Sequence, residues 1–150
     1  MAHTYTSLHY HCVFSTSGRR NLIPQDMMSD IHAYMGGIVR NLRGTAIAIG
    51  GTANHVHVLI GLPSSSAVAT AVGKTKTNST RWVHDTFATL PDFCWQVGYG
   101  AFTVSRSQVD AVSDYIANQA VHHRTQTFEE EFLLLLQKHG IEYDERYLWD

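Results

Sequence analysis

The chain has 150 residues, of which 44% are hydrophobic and 16% charged, so it can bury a core of its own and is predicted to form one domain over residues 1–150. The two cysteines cannot make a disulfide framework, and the longest apolar run, Phe132–Leu136, is too short to span a membrane. The N-terminus shows no pattern of an apolar leader. These features predict a location in the cytoplasm. The net charge of −2 combines seven acids and two bases in residues 127–150 with six acids and nine bases in residues 1–126, which does not exclude a polyanionic partner.

The first half of the chain reads as a strand, a helix and two strands. Alternating β-formers predict a strand over residues 5–15. Pro24 then begins a helix whose apolar residues keep a 3.6-residue period until Gly44. Residues 45–50 and 55–61 are predicted to pair as a hairpin.

The second half predicts three helices and one more strand. A helix is expected over residues 66–88, a strand over 93–104 and a helix over 107–123, and a capping box at 127–130 opens a last helix that ends at Gly140. The order βαββαβ predicts an α+β, ferredoxin-like or RRM-like fold with an antiparallel sheet, followed by a tyrosine-bearing helix and a final helix.

Two histidines two residues apart lie on the third predicted strand. Residues i and i+2 of a strand share a face and are roughly 6.6 Å apart along it, so His55 and His57 can converge on one cation, while Val56 points into the core. The other interpretation is that these rings only fill a half-exposed sheet face.

A tyrosine and a glutamine share one face of the third predicted helix. Tyr115 and Gln119 are four residues apart, so they project side by side, about 6 Å apart along the axis. A phenol beside an amide oxygen suits a nucleophile next to a metal ligand, although an amphipathic tyrosine at a core edge has the same spacing.

Five basic residues are candidates for phosphate contacts. They are Arg19 and Arg20 after the first strand, and Lys74, Lys76 and Arg81 among the hydroxyl and amide side chains of the second helix. A solvated helix face is the alternative interpretation.

The segment 54–60, containing His55-Val56-His57, together with Tyr115-x-x-x-Gln119, resembles the single-tyrosine HUH transposases. These are insertion-sequence enzymes of the IS two-hundred / six-hundred-five type and their domesticated relatives, the REP-associated tyrosine transposases. Further similarity to the family is found in segments 9–20, 95–105, 119–123 and 128–140. Asn54 stands where such proteins often have aspartate.

The resemblance implies a metal-assisted cleavage of single-stranded DNA that carries hairpins. His55, His57 and Gln119 would bind a divalent metal ion, Mg²⁺ or Mn²⁺, and Tyr115 would attack phosphorus and form a 5′-phosphotyrosine. A strand 3′-OH would then rejoin the DNA. Such an enzyme would be associated with the nucleoid when acting on DNA.

The resemblance also implies a homodimer. In some family members the tyrosine helix of one subunit completes the metal site of the other. The active site could therefore be formed within one subunit or shared between two. Gly98 and Gly100 are the candidate hinges for such an exchange.

Three other functions compete with a mobile-element transposase. A domesticated relative would process repeated palindromes in its host genome. A non-catalytic RRM-like module would bind nucleic acid through exposed aromatic residues on its central strands. A metal-dependent hydrolase would cleave without a covalent step.

Overall fold

The computed structural model describes residues 3–149. Met1, Ala2 and Asp150, which is the last of the seven acids in residues 127–150, lie outside the described residues. Four strands form one antiparallel sheet in the order β2-β3-β1-β4. They are β1 (His9–Ser15), β2 (Thr45–Thr52), β3 (His55–Gly61) and β4 (Gly100–Val104). The two strands that carry histidines, β1 and β3, are therefore central.

Residues 3–149 contain five α-helices. They are α1 (Gln25–Asn41), α2 (Val68–Thr86), α3 (Val109–Ala117), α4 (Gln119–His122) and α5 (Phe128–Lys138). The chain order through β4 is βαββαβ, and the predicted fold class is confirmed. Within residues 3–149, none of the helices has both the length and the apolar character needed to cross a membrane.

The sheet is covered on both faces. On one face, Cys12, Phe14, Val56 and Val58 pack with apolar residues of α1 and α2. On the other, Val13 and Phe102 pack with α5, and Leu59 and Val104 pack with α3. Because alternate residues of a strand face opposite sides, His55 and His57 lie on the α3/α5 side, as their spacing predicts.

Several predicted elements are shorter than expected: the strand predicted over residues 5–15 begins at His9, and the helix predicted over 66–88 is Val68–Thr86. Only Gly100–Val104 of the predicted strand 93–104 is a strand, because the carbonyl groups of residues 96–98 accept hydrogen bonds from the Lys76 ammonium group instead of from a neighbouring strand. The predicted helix 107–123 breaks at Asn118 (φ −102°, ψ 22°), whose side-chain amide donates to the Asp114 carbonyl oxygen at 2.8 Å. This break separates α3 from α4.

Two glycines allow close approach beside the histidine face. A Cβ atom on Gly50 would lie 2.4 Å from the Ile116 carbonyl oxygen, and one on Gly100 would lie 2.8 Å from the Phe132 ring. Gly50 therefore lets α3 approach β2, and Gly100 lets α5 approach β4. Gly100 is packed against α5 in this structure, and we do not propose it as a hinge.

A buried histidine on α1 should make stability depend on pH. Burial lowers the pKa of His32 from 6.5 to about 4, and its Nε2 atom has no hydrogen-bond partner among the described residues. Because the unfolded chain binds this proton more readily, the stability from neutral His32 is complete above pH 6.5 and is lost as pH falls toward 4. Between about pH 7.5 and about pH 5, we expect the unfolding free energy of His32→Leu to fall by about 1–2 kcal/mol less than that of the wild type. Urea unfolding at both values measures this difference.

The control for this measurement is His3→Gln, at an exposed position. It should keep the pH dependence of the wild type. Equal losses of unfolding free energy in His32→Leu and His3→Gln would show that His32 is not an acid-sensitive group.

Candidate active site

His55 and His57 form the centre of the site. Their side chains are completely buried, and their ring centroids are 5.2 Å apart. They project from β3 beneath α3 and α5, whereas Val56 between them packs with the helices of the opposite face. The spacing in the sequence thus brings the two imidazoles together as predicted.

Neighbouring side chains fix the orientation of both rings. The Nδ1 atom of His55 lies 2.9 Å from Asn54 Oδ1 and 3.0 Å from Thr52 Oγ1. The Nδ1 atom of His57 lies 2.7 Å from His11 Nε2 on the adjacent strand. Each ring therefore uses Nδ1 for support and directs Nε2 into the site, which is the arrangement of metal-binding histidines. Asn54 provides this support although it is not an aspartate.

A buried glutamate that the sequence analysis did not select completes the cluster. Glu131 on α5 is 1% exposed, and its Oε1 atom lies 2.9 Å from His57 Nε2 and 3.4 Å from His55 Nε2. In the sequence it is the third of three consecutive acids in an acidic segment. Its position in the helical period indicates that it is buried. Glu131 lies three residues after Phe128 and one before Phe132, on the apolar stripe of α5.

Tyr115 and Gln119 meet at the other oxygen of this carboxylate. The Tyr115 hydroxyl donates a hydrogen bond to Glu131 Oε2, and the Gln119 amide donates to the same atom at 2.9 Å. Gln119 Oε1 lies 2.8 Å from His55 Nε2. Although the helix breaks between them at Asn118, the predicted pair lies side by side, and one carboxylate links it to both histidines.

The charges of the cluster follow from burial and contacts. Burial would raise the pKa of the Glu131 carboxyl, but its contacts with His55, His57 and Tyr115 hold that pKa well below the usual range. Burial lowers the pKa of His57, and burial together with His57 lowers the pKa of His11 to about 3. Burial and the adjacent carboxylate raise the pKa of Tyr115 above its usual range. The site thus contains an anion and two histidines, His11 and His57, whose lowered pKa values favour the neutral form.

This arrangement fits a divalent cation. With Asn54 Oδ1 accepting from His55 Nδ1, the Nε2 atom of His55 presents a lone pair to two acceptors, Gln119 Oε1 and Glu131 Oε1. A ring proton or a cation must lie between such groups. The ligand atoms of His55, His57 and Glu131 all lie within 4.8 Å of one another. Two imidazole nitrogens and a carboxylate oxygen are suitable ligands for a divalent metal ion.

The five predicted phosphate-binding residues are not gathered at this cluster. Lys76 donates to three backbone carbonyl groups, and burial lowers its pKa to about 8, so its ammonium group is committed to the loop before β4. Arg19 pairs with Glu129 at 2.8 Å. Arg20, Lys74 and Arg81 are exposed, and the last two lie on α2, which covers the opposite face of the sheet.

Two grooves reach the cluster. One, of about 830 Å³, runs between the β2–β3 hairpin and residues 123–130 and is lined by Gln119 and His123. The other, of about 730 Å³, is more apolar and is lined by His11, Tyr115 and Glu131. The tyrosine and the carboxylate can therefore be approached from one side and the glutamine from the other.

Comparison with protein families matches a transposase family over most of the chain. The family described as "Transposase IS200 like" matches residues 4–119, a range that contains His55, His57, Tyr115 and Gln119. Glu131 lies beyond it. A search of the curated proteins gives no significant match.

Solved structures with the same fold include two transposases. A transposase structure from Deinococcus radiodurans R1 is 21% identical, with a TM-score of 0.63, and the match covers 79% of this chain and 96% of that one. A REP-associated tyrosine transposase bound to a REP hairpin is 15% identical, with a TM-score of 0.60 and coverage of 82% and 73%.

Proposed function

Because the chain belongs to the IS200-like transposase family, we propose that it cleaves and rejoins single-stranded DNA at hairpin-bearing element ends through a 5′-phosphotyrosine on Tyr115. The observation that carries this proposal is the cluster itself. A phenol, two imidazoles and an amide all contact the two oxygens of one buried carboxylate. A nucleophile beside a cation site is what metal-assisted phosphoryl transfer requires.

His55, His57 and Glu131 are the proposed metal ligands, with Gln119 Oε1 beside them. A divalent ion bound there would polarise the scissile phosphate and offset the charge that develops on its oxygens. Mixed nitrogen and oxygen ligands suit Mn²⁺ better than Mg²⁺. We therefore expect Mg²⁺ to act in cells through its abundance and Mn²⁺ to support activity well.

Glu131 prepares Tyr115 for attack. The phenolic proton of Tyr115 points to Glu131 Oε2, which orients the hydroxyl and is the nearest acceptor when the bond between the phenolic oxygen and phosphorus forms. Burial and this carboxylate raise the pKa of the phenol, and a bound divalent ion would have to offset that rise. The bond from phosphorus to the 3′ oxygen breaks, and the 3′ oxygen takes up the proton that the phenol released. The Gln119 amide holds Oε2 in place. Attack by a strand 3′-OH on the phosphotyrosine reverses these steps and needs no nucleotide triphosphate.

The proposed substrate is single-stranded DNA with hairpins. The enzyme must reach a phosphate in the backbone of an unpaired strand, and two grooves reach the cluster. One relative of the same fold binds a REP hairpin, which supports hairpin DNA here. Arg20, Lys74 and Arg81 remain candidates for phosphate contacts, because their side chains are exposed.

The RRM-like alternative is disfavoured by the covered sheet. Such a module stacks bases on aromatic residues of an open sheet face. Here His11, His57 and Phe102 on the central part of that face are buried, and α3 and α5 lie over them. A domesticated nuclease uses the same chemistry as a transposase, and the DNA that flanks the gene distinguishes the two.

The proposal is tested with labelled single-stranded DNA that carries the hairpins flanking the gene. We expect a DNA–protein adduct that resists denaturation to form with Mn²⁺ and not with a chelator. The same sequence annealed to its complement is the control and should give no adduct. Absence of any adduct or cleavage on the single strand would contradict the proposal.

We further propose that each active site is formed within one chain of a homodimer. In a single chain, Tyr115 and His57 contact the two oxygens of the same Glu131 carboxylate. Mixing a His57→Ala chain with a Tyr115→Phe chain should therefore leave adduct formation at background, because every site lacks one component. Recovery of cleavage in the mixture, up to about a quarter of the wild-type level if chains pair at random and mixed dimers hold one intact site, would support a shared site instead.

A further inference from the structure

A third histidine lies at the proposed metal site. Resting on the proposed metal-dependent function, we infer that His123 is a further protein ligand of the metal ion, which makes the site three imidazoles and one carboxylate. His123 follows α4 directly, where its backbone N–H donates to the Gln119 carbonyl oxygen at 3.0 Å. Its side chain is 11% exposed, and it lines the groove that reaches Gln119.

The distances to one oxygen support a shared cation. The Nε2 atoms of His57, His123 and His55 lie 2.9, 3.1 and 3.4 Å from Glu131 Oε1. Two ligand atoms that are each about 2.1 Å from one metal ion are about 3.0 Å apart in octahedral geometry and about 3.4 Å apart in tetrahedral geometry. The observed distances span this range.

Hydrogen bonding alone is a poor account of the same contacts. A carboxylate oxygen has two lone pairs in its plane, and three ring nitrogens approach Glu131 Oε1. The rings of His55 and His123 also pack together, with centroids 4.5 Å apart. The ligand atoms of His55, His57 and Glu131 lie within 4.8 Å of one another and that of His123 is outside this set, so the His123 ring would turn toward the ion to join the other three.

The position of His123 leaves room for the substrate. It approaches Glu131 from the groove that also contains Gln119, whereas Tyr115 and Glu131 line the other groove. A phosphate oxygen that enters beside Tyr115 therefore does not compete with His123. A third imidazole should shift the preference of the site further toward Mn²⁺ over Mg²⁺.

Calorimetric titration of the full chain with MnCl₂ and with MgCl₂ tests the inference. We expect His123→Gln to weaken Mn²⁺ binding at least ~10-fold and to weaken Mg²⁺ binding less. His122→Gln is the matched control. The His122 ring stacks on Tyr115 at 4.7 Å and is not a proposed ligand, so this variant should leave Mn²⁺ affinity unchanged. Circular dichroism without metal verifies that both variants are folded.

Pulsed electron paramagnetic resonance of bound Mn²⁺ counts the coordinated imidazoles directly. We expect three in the wild-type chain and in His122→Gln, and two in His123→Gln. Two imidazoles in the wild-type chain, or equal Mn²⁺ affinity in the two variants, would overturn the inference and leave the proposed function standing. A wild-type chain that binds no Mn²⁺ would overturn both the inference and the metal-dependent part of that function.

Discussion

Replacing Tyr115 with Phe should abolish the covalent DNA adduct and reduce strand cleavage at least ~10³-fold. The substitution removes one oxygen atom, which is the proposed nucleophile, and keeps the ring that packs beside His57 and His122. Because the hydroxyl group contributes a hydrogen bond to the Glu131 carboxylate and the ring keeps its packing, the fold and the metal ligands should remain. Denaturing gel electrophoresis of labelled single-stranded DNA with Mn²⁺ measures both adduct and cleavage.

The matched control is Tyr147→Phe, since that tyrosine is 64% exposed. It should form the adduct as the wild type does. Cleavage that persists in Tyr115→Phe without an adduct would support a metal-dependent hydrolase. An adduct that persists in Tyr115→Phe would place the nucleophile on another residue.

The parts of the site that follow a local period could be predicted from the sequence. His55 and His57 share a face because side chains alternate along a strand, and Tyr115 lies near Gln119 because four residues make about one helical turn. Neither argument depends on distant parts of the chain. The same holds for the order of the elements, which their apolar periods and turn residues indicate.

The parts that depend on long-range packing could not be predicted in the same way. Glu131 reaches His57 only because α5 folds back over the sheet, 74 residues further along the chain, and Lys76 meets the carbonyl groups before β4 only after α2 has packed. For both Glu131 and Lys76, the composition of the surrounding sequence predicted a different role. Glu131 lies in an acidic run that is typical of a solvated surface, and Lys76 lies among residues that suit phosphate contacts.

Position on a helical stripe was the unused signal for Glu131. A charged residue between Phe128 and Phe132 on the buried face of α5 needs partners, because an unpaired charge is costly to bury. Its partners are a histidine of β3, a tyrosine of α3, a glutamine of α4 and the histidine that follows α4. The final helix is therefore part of the active site as well as a cover for the sheet.

Replacing Glu131 with Gln should remove most of the metal affinity and leave the metal-free fold about as stable as before. An amide is a much weaker ligand than a carboxylate, so we expect Mn²⁺ affinity and cleavage to fall about 100-fold or more. Its NH₂ group can donate to the histidine nitrogens, while its oxygen still accepts from Tyr115. A neutral network then replaces a charged one, and the metal-free unfolding free energy should change by no more than about 1 kcal/mol.

Thermal or urea unfolding with and without Mn²⁺ separates these two effects. At about 100 times the dissociation constant, Mn²⁺ should stabilise the wild-type chain by about 2.7 kcal/mol, and the same concentration should stabilise Glu131→Gln by less than about 0.5 kcal/mol. Glu130→Gln is the matched control, because this exposed neighbour keeps the backbone N–H that donates to Thr127 at 3.1 Å and should show the full gain. If Mn²⁺ stabilises Glu131→Gln as much as Glu130→Gln, the carboxylate is not a ligand, and α5 covers the site without contributing to its chemistry.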